Sequence, residues 1–484
     1  MSVITEPIIL DKTGRLIADR LKSIAEKLWS EKVIEIPSKD VNFYDYDGTR
    51  VYSYDKAEFL AMEALPANPV HGGLTAQGWN WTLAQAKEYV RKYGVLDIGQ
   101  TYTTDDGKTR LYIEIGYTEN LSVCLKYVQS AGSTVTINWG DGSEETSEVT
   151  TVPGGNVEKR HTYADEGHYI IALDVSEGGD IKLGTSTSAT ATSYTAGITF
   201  FTQGIHGRTT GKDALVGLEI GNGVSAIGVG GLAYCTNLRY VTIPNTVASV
   251  YGLAFFACKA LEAVVVPSGV LKVNNLQFAY NYNAKVIALP PTINAIGKSA
   301  FKTCSILGRL CIPEGVTALD QYVCSGLHNA RDIVVPDTIE GAIPNYAFEH
   351  CYGIDKINVP DGVTSIGNYA FHNCYNLREC ELPEGVTTIG QNAFASCFGF
   401  LDFVIPSTVT SIGKFAFLYN DGNNSFHVMA TVPPTVEPTA FESTFGNDAM
   451  KIYVPYSEDH SILEAYKSAT GWAGKADDIY EEEG

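Results

Sequence analysis

The side chains of this chain that could do chemistry are few and scattered. Asp141, Glu144 and Glu145 crowd one short stretch, and carboxylates this close could hold Ca²⁺ or share a proton. His161 and His168 follow and could ligate a metal. Each has a plainer reading. Asp141 sits in a Gly-Asp-Gly turn whose acids are solvated, and His161 belongs to a His-Thr-Tyr strand motif. Asp421-Gly-Asn-Asn424 reads as a loop. The ten cysteines include no Cys-x-x-Cys pair, so zinc and thioredoxin-like chemistry lack their usual spacing. No His-Glu-x-x-His, Gly-x-Ser-x-Gly, P-loop or Rossmann fingerprint occurs, and Gly228-Val-Gly-Gly231 belongs to a repeat. The expectation is no catalytic residue, no metal and no cofactor.

The elements that position these residues are periodic. Pro244, Pro267, Pro290, Pro313, Pro336, Pro360, Pro383 and Pro406 recur every 23 residues, with one 24-residue step before Pro360. Cys235, Cys258, Cys304, Cys351, Cys374 and Cys397 each stand nine residues before a proline. Such a period predicts a solenoid whose turns stack on one another. One turn offers about six apolar side chains, worth roughly 10–18 kcal/mol when buried. Ordering its backbone costs at least about 1 kcal/mol per residue, so neighbours must cover both faces. Leu238, Val241 and Ile243, like Leu377, Cys380 and Leu382, alternate as a short strand that proline ends. An Ile-Gly step (Ile227-Gly228, Ile366-Gly367, Ile389-Gly390) makes a second bend. A short helical or irregular stretch then inserts Phe255, Phe278, Phe301, Phe348, Phe371, Phe394 and Phe417. The cysteines form a ladder of reduced, buried thiols. Asn281 and Leu327 take cysteine slots and Cys324 a phenylalanine slot; the copies at 268–290 and 420–450 are degenerate and predict local irregularity or an insertion.

These residues resemble the BspA-type leucine-rich repeat over about 213–455. The resemblance implies a solenoid and, for function, adhesion to bacterial or host surface components. Composition agrees with a globular chain. Of its residues 45% are hydrophobic and 18% charged, and the net charge is −21, which argues against nucleic acid or anionic lipid as partner. No run of about 20 apolar residues predicts a membrane span. No secretory signal and no wall-anchoring motif is expected.

Ahead of the repeats, residues 1–39 form a helix or attachment segment, with the helical stretch running from Leu10 to Trp29. Leu10, Ile17, Leu21, Ile24 and Leu28 are spaced as a and d positions, and leucine at a with isoleucine at d favours a trimer; a helix packed on its own domain fits equally. Residues 40–107 read as a small α+β module, with a hairpin at Asp47-Gly48, a helix in the Leu74–Tyr93 stretch after Trp79-Asn-Trp81, and a second hairpin at Asp106-Gly107. The phrases LDKTGRLIADRLKSIAEKL and LPANPVHGGLTAQGWNWTLAQAKEYV look like the N-terminal parts of tail-associated proteins in phages and prophages of gut Firmicutes. Residues 108–180, with Val135-Thr-Ile-Asn-Trp-Gly-Asp-Gly142 and His161-Thr-Tyr-Ala-Asp-Glu-Gly-His-Tyr169, resemble a polycystic-kidney-disease (PKD) type β-sandwich with Trp139 and Tyr163 in its core. Such a domain implies a spacer or weak binding module. Residues 181–212 form a linker or solenoid N-cap, and 456–484 a C-terminal cap with a helix from Leu463 to Trp472.

Two stripes are candidate ligand surfaces. One is the outward set of the stacked strands, including Arg239, Tyr240, Glu262, Lys285, Arg309, Arg331, Asp332, Asp355, Lys356, Arg378, Glu379 and Asp402. The other follows the cysteine slots: Tyr282, His328, Tyr352, Tyr375 and Phe398, a ladder of rings that could meet sugar or protein. The expected function is a non-enzymatic receptor-binding protein of a phage or prophage tail, located in the virion and made in the host cytoplasm. It would contact a bacterial surface protein or glycan and hold other tail or baseplate proteins through its N-terminus. The alternatives are a bacterial cell-surface adhesin or interaction module and, last, a glycan depolymerase with paired carboxylates.

Overall fold

The structure is a computed structural model and describes residues 39–115, 121–149, 155–184, 200–203, 213–420, 425–437, 439–441 and 450–483. The expected Leu10–Trp29 helix, and the trimer reading that rests on it, lies outside these residues.

The first module has a four-stranded sheet made of β1 (Val41–Tyr44), β2 (Arg50–Tyr54), β3 (Leu74–Trp79) and β4 (Leu96–Thr104), in the order β2-β1-β4-β3. The β1–β2 hairpin turns at Asp47-Gly48, where Gly48 takes the left-handed φ of 87° that this turn requires. Two helices, α1 (Lys56–Ala61) and α2 (Leu83–Tyr93), pack on the sheet. Thr82 caps α2 by accepting from the Gln85 amide. The expected second hairpin is a correction. Asp106-Gly107 does form a turn, but β4 pairs with β1 and β3, while the strand after the turn joins another sheet. Turn chemistry marks where the chain bends and leaves the strand's partner to the packing that follows.

Eight strands come next: β5 (Thr109–Ile115), β6 (Ser122–Gln129), β7 (Val135–Asn138), β8 (Glu144–Thr146), β9 (Gly155–Thr162), β10 (Gly167–Val175), β11 (Ile181–Leu183) and β12 (Phe201–Gln203). β5, β10, β7 and β8 lie in one sheet, and β6 pairs with β9, β11 and β12 in a second. Trp139 and Tyr163 are buried as expected. Both sheets run on into the repeats. β13 (Leu215–Glu219) pairs antiparallel with β5 and parallel with Tyr240–Thr242; β14 (Val224–Ile227) pairs parallel with β11 and with Ser249–Val250. A single hydrophobic core therefore extends from Leu111 to Ile479.

The repeats form the expected solenoid. One strand flank runs from Tyr240–Thr242 to Lys451–Val454, and a second from β14 to Thr435–Val436, with neighbouring turns parallel and in register, as in Lys356↔Glu379. The phenylalanine-bearing stretch is a chain of tight turns rather than a helix. Tyr346, Phe348 and His350 donate their amides to the Asn368, Ala370 and His372 carbonyls of the next turn at 3.0, 2.8 and 2.9 Å, while Ala347 and Glu349 donate back to Pro344 and Tyr346. That alternation puts Tyr346 and His350 at φ 62° and 60°. Such left-handed residues cost about 1 kcal/mol each, offset by the bonds that stitch turn to turn.

Inside, the rings of Phe348, Phe371, Phe394 and Phe417 stack in parallel, 5.2, 5.1 and 5.6 Å apart. None of the ten cysteines forms a disulfide, and all are buried. The ladder thiols donate to carbonyls of the preceding turn, as Cys374 Sγ does to Phe348 O at 3.2 Å. Burial pushes the Cys304 and Cys351 thiols up to about 12. The 24-residue step is an insertion between Ile339 and Ile343: Gly341 takes φ 81°, and the register with Val363–Ile366 shifts there. The copy at 268–290, expected to be irregular, is regular; Lys272–Val273 and Val286–Ala288 keep their pairings. At the far end, α3 (Ser461–Ser468) is shorter than expected. Trp472 follows it, and Ile479–Glu481 adds a strand parallel to Lys451–Val454 that the sequence did not suggest. The Tyr466 hydroxyl and Trp472 indole donate to the Ala430 and Pro434 carbonyls at 2.7 and 2.8 Å, closing the stack.

Candidate functional site

The N-terminal module lies across the first strand flank and divides it into a covered part and an open part. Under the module, Ala263–Val265, Val286–Ala288 and Arg309–Cys311 are buried on both faces. Gly99 of β4 lets the two backbones meet: a Cβ there would sit 2.5 Å from the Val265 methyls. The Asn80 amide donates to Ala288 O at 3.1 Å, the Trp81 indole to Leu289 O at 2.8 Å and the Tyr89 hydroxyl to Ile312 O at 2.8 Å.

Arg309, expected to face solvent and bind ligand, is a correction. It is 5% exposed, and its guanidinium donates to Asp97 at 3.1 Å, the Asp40 carbonyl at 2.9 Å and Asp332 at 3.2 Å. Burial pushes the Asp97 carboxyl above the usual range, opposed by Arg309 and by the Asn42 amide. The arginine thus clamps the module to the solenoid. Tyr240 is also half-buried, its ring packed 5.5 Å from Tyr46 of the module.

Past the module the flank opens. Lys356–Asn358 and Glu379–Glu381 alternate exposed, buried, exposed, and Asp402–Ile405 continues the pattern. A cleft of about 580 Å³ lies where the module ends, lined by Lys92, Tyr93 and Val95 on one side and by residues from Arg331 to Asp361 on the other. Lys92 bridges Glu314 and Asp337 at 2.8 and 3.3 Å, and these partners raise its pKa. Tyr93 Oη donates to Glu314 and accepts from the Asp337 amide, both at 3.1 Å. Arg331, Asp355 and Lys356 project along the solenoid side of the cleft. Lys356 is already paired with Glu379 at 2.6 Å, as Lys285 is with Glu262 at 2.7 Å. Arg239, Arg331 and Arg378 are exposed and make no ion pair among the described residues. The cleft and ledge can therefore offer guanidinium forks, carboxylates and a tyrosine edge to a partner.

The aromatic stripe assembles in part. His328, Tyr352, Tyr375 and Phe398 stack at 4.7, 4.8 and 5.4 Å. Tyr282 stands apart, edge-on to Tyr280 at 6.3 Å. The stacked rings spend their faces on one another, so Tyr352 and Tyr375 offer only edges outward, which suits protein contact better than sugar stacking. A second ladder, Tyr322–Tyr346–Tyr369 at 4.5 and 4.9 Å, was not anticipated. Its 23- and 24-residue spacing was the available signal.

Residues 211–331 and 341–452 match the BspA type leucine rich repeat region, in six copies. Over these two stretches the chain carries a BspA-type leucine-rich repeat region. A leucine-rich repeat protein from Bacteroides ovatus is 22% identical, over 55% of this chain and 72% of that one, with a TM-score of 0.45. A leucine rich cell surface protein from Faecalibacterium prausnitzii is 23% identical over 52% and 82%, with a TM-score of 0.33. The T. pallidum leucine rich repeat protein is 21% identical over 41% and 78%, with a TM-score of 0.25. No curated protein matches the chain. No helix among the described residues is long and apolar enough to cross a membrane.

Proposed function

We propose that this chain is a non-enzymatic receptor-binding protein of a phage or prophage tail, reading a surface protein or glycan of its bacterial host with the open ledge and cleft. The observation that carries the binding surface is the division of the strand flank: the module seals the early turns and leaves the later ones open beside the cleft. The tail placement is supported by the resemblance of the first 105 residues to tail-associated proteins. On this reading residues 1–39 hold other tail proteins and assemble a trimer, the PKD-type unit at 108–180 mounts the solenoid, and weak contacts add across subunits. Arg331 and Arg378, exposed and without an ion pair among the described residues, are aimed at the receptor; Lys356 contributes by exchanging Glu379 for it.

The Arg331→Glu/Arg378→Glu double variant should bind susceptible cells at least about tenfold more weakly, equal to about 1.4 kcal/mol, with an unchanged melting temperature. Unaltered binding would remove the ledge from the reading. Purified virions should contain the protein, and its absence from them would overturn the tail placement. A second reading, an adhesin on the bacterium's own surface, is favoured by the BspA-type repeat; finding the protein on walls of uninfected cells would select it. Release of oligosaccharide from host polysaccharide would replace both with a depolymerase.

A further inference from the structure

We infer that Glu349, His350 and His372 form a binding site for a divalent transition-metal ion of the Zn²⁺ class, bridging two adjacent turns on the tight-turn side of the solenoid. Glu349 and His372 occupy the same position of the repeat, two residues before a ladder cysteine, so stacking places their side chains one above the other. The left-handed backbone of His350, φ 60°, swings its ring onto the same spot. Glu349 Oε1 lies 3.7 Å from His350 Nε2 and 3.5 Å from His372 Nδ1. All three ligand atoms fall within 4.8 Å of one another. Bonds of about 2.0–2.1 Å in tetrahedral geometry separate ligand atoms by about 3.4 Å, so only a modest closing of the two imidazoles is needed.

A second observation points to a ligand. His372 Nδ1 is sealed from solvent and has no hydrogen-bond partner, although a buried imidazole nitrogen normally finds one. It faces the Glu349 carboxylate, where a cation would satisfy both. An outer shell is also present. His350 Nδ1 lies 3.3 Å from the Tyr352 hydroxyl and 3.1 Å from the Asn373 side-chain amide. Either oxygen can accept the Nδ1–H that leaves Nε2 free to ligate, the amide by turning over. The sibling positions in the other turns hold Ala233, Phe256, Ala279, Lys302, Ser325, Ala395 and Leu418. The ligand set is thus confined to this pair of turns.

The test is titration of the chelator-treated full chain with ZnCl₂ by calorimetry, and with CoCl₂ by visible absorption. One Zn²⁺ per chain is expected, with a Co²⁺ ligand-field band that Zn²⁺ abolishes. Loss of an outer-shell partner is worth about 10–100-fold in affinity, so Glu349→Gln or His372→Asn should cost at least about 100-fold and Tyr352→Phe less. His161→Ala, which removes a different histidine–carboxylate pair, should leave the binding intact. Both ligand replacements are of similar size at partly buried positions, and unaltered melting of the metal-free variants establishes that they fold. Absence of Zn²⁺ uptake, or equal uptake by the Glu349→Gln/His372→Asn double variant, overturns the site.

Discussion

Asn281 fills a slot that Cys258, Cys304, Cys351, Cys374 and Cys397 fill elsewhere, and it is fully buried with neither amide atom hydrogen-bonded. A thiol in this slot donates to a carbonyl one turn back, as Cys304 Sγ does to Phe278 O at 3.0 Å. An unsatisfied buried polar group costs about 1–3 kcal/mol. Asn281→Cys should therefore stabilise the protein by about that amount, read as a higher urea midpoint at constant slope. His328 sets a pH dependence at the same scale. Burial, aided by His350, lowers its pKa from 6.5 to about 4. A depressed histidine favours the fold in its neutral form, so its contribution is complete above about pH 6.5 and is lost as pH falls towards 4. The loss is roughly 1–3 kcal/mol. His328→Tyr, which keeps a ring against Tyr352, should flatten the urea midpoint across that window. Single residues were legible where they repeat: the cysteine slots and the His328–Phe398 ring ladder follow from spacing alone. Glu349, His350 and His372 are not legible as a set, because stacking brings His372 to a carboxylate one period away in the chain.

At the scale of elements, the docking of the N-terminal module onto the flank is the feature the sequence reading missed, although its signal was present. Outward positions of the later strands are polar, as at Lys356, Asn358, Glu379 and Glu381, while those of the earlier ones are Ala263, Val265, Val286, Ala288 and Cys311. Continuous apolar runs of this kind report a strand buried on both faces. Reading every turn as equivalent placed Arg309 in solvent. The clamp makes Cys311 a natural reporter: it faces the module, its Sγ 3.9 Å from Val95 O, and burial holds its thiol protonated. Gly99→Val drives methyl groups into Val265, and Asp97→Ala strips Arg309 of its buried partner. Each should speed maleimide labelling of Cys311 at least about tenfold, about 1.4 kcal/mol of docking free energy, and leave the nine other thiols slow. Mass mapping of the modified cysteines reads this directly. Labelling spread over the ladder cysteines would instead mean that the solenoid opens with the module.

Taken whole, the molecule is a line of neighbours: the sheets of 109–183 start the stack, each turn covers the next, and α3 with Trp472 ends it. Stability in such a line is close to a sum of turn and interface contributions, so the position of a defect matters as much as its size. Phe371 lies between Phe348 and Phe394, at 5.2 and 5.1 Å from each, and removing a buried phenylalanine costs about 3–5 kcal/mol. Phe371→Ala weakens two interfaces in the middle of the stack at once. The turns after it should unfold first, because the earlier ones keep the N-terminal sheets and the module as buttresses. Hydrogen exchange should show residues 379–481 losing protection at lower denaturant than residues 215–343, where the unmodified protein shows closer midpoints. Phe441→Ala, beside the cap and 5.5 Å from Trp472, should instead fray the end and leave the central turns protected. If both substitutions lowered protection uniformly from 215 to 481, coupling would reach far beyond adjacent turns, and the stack would behave as one cooperative core rather than as a chain of interfaces.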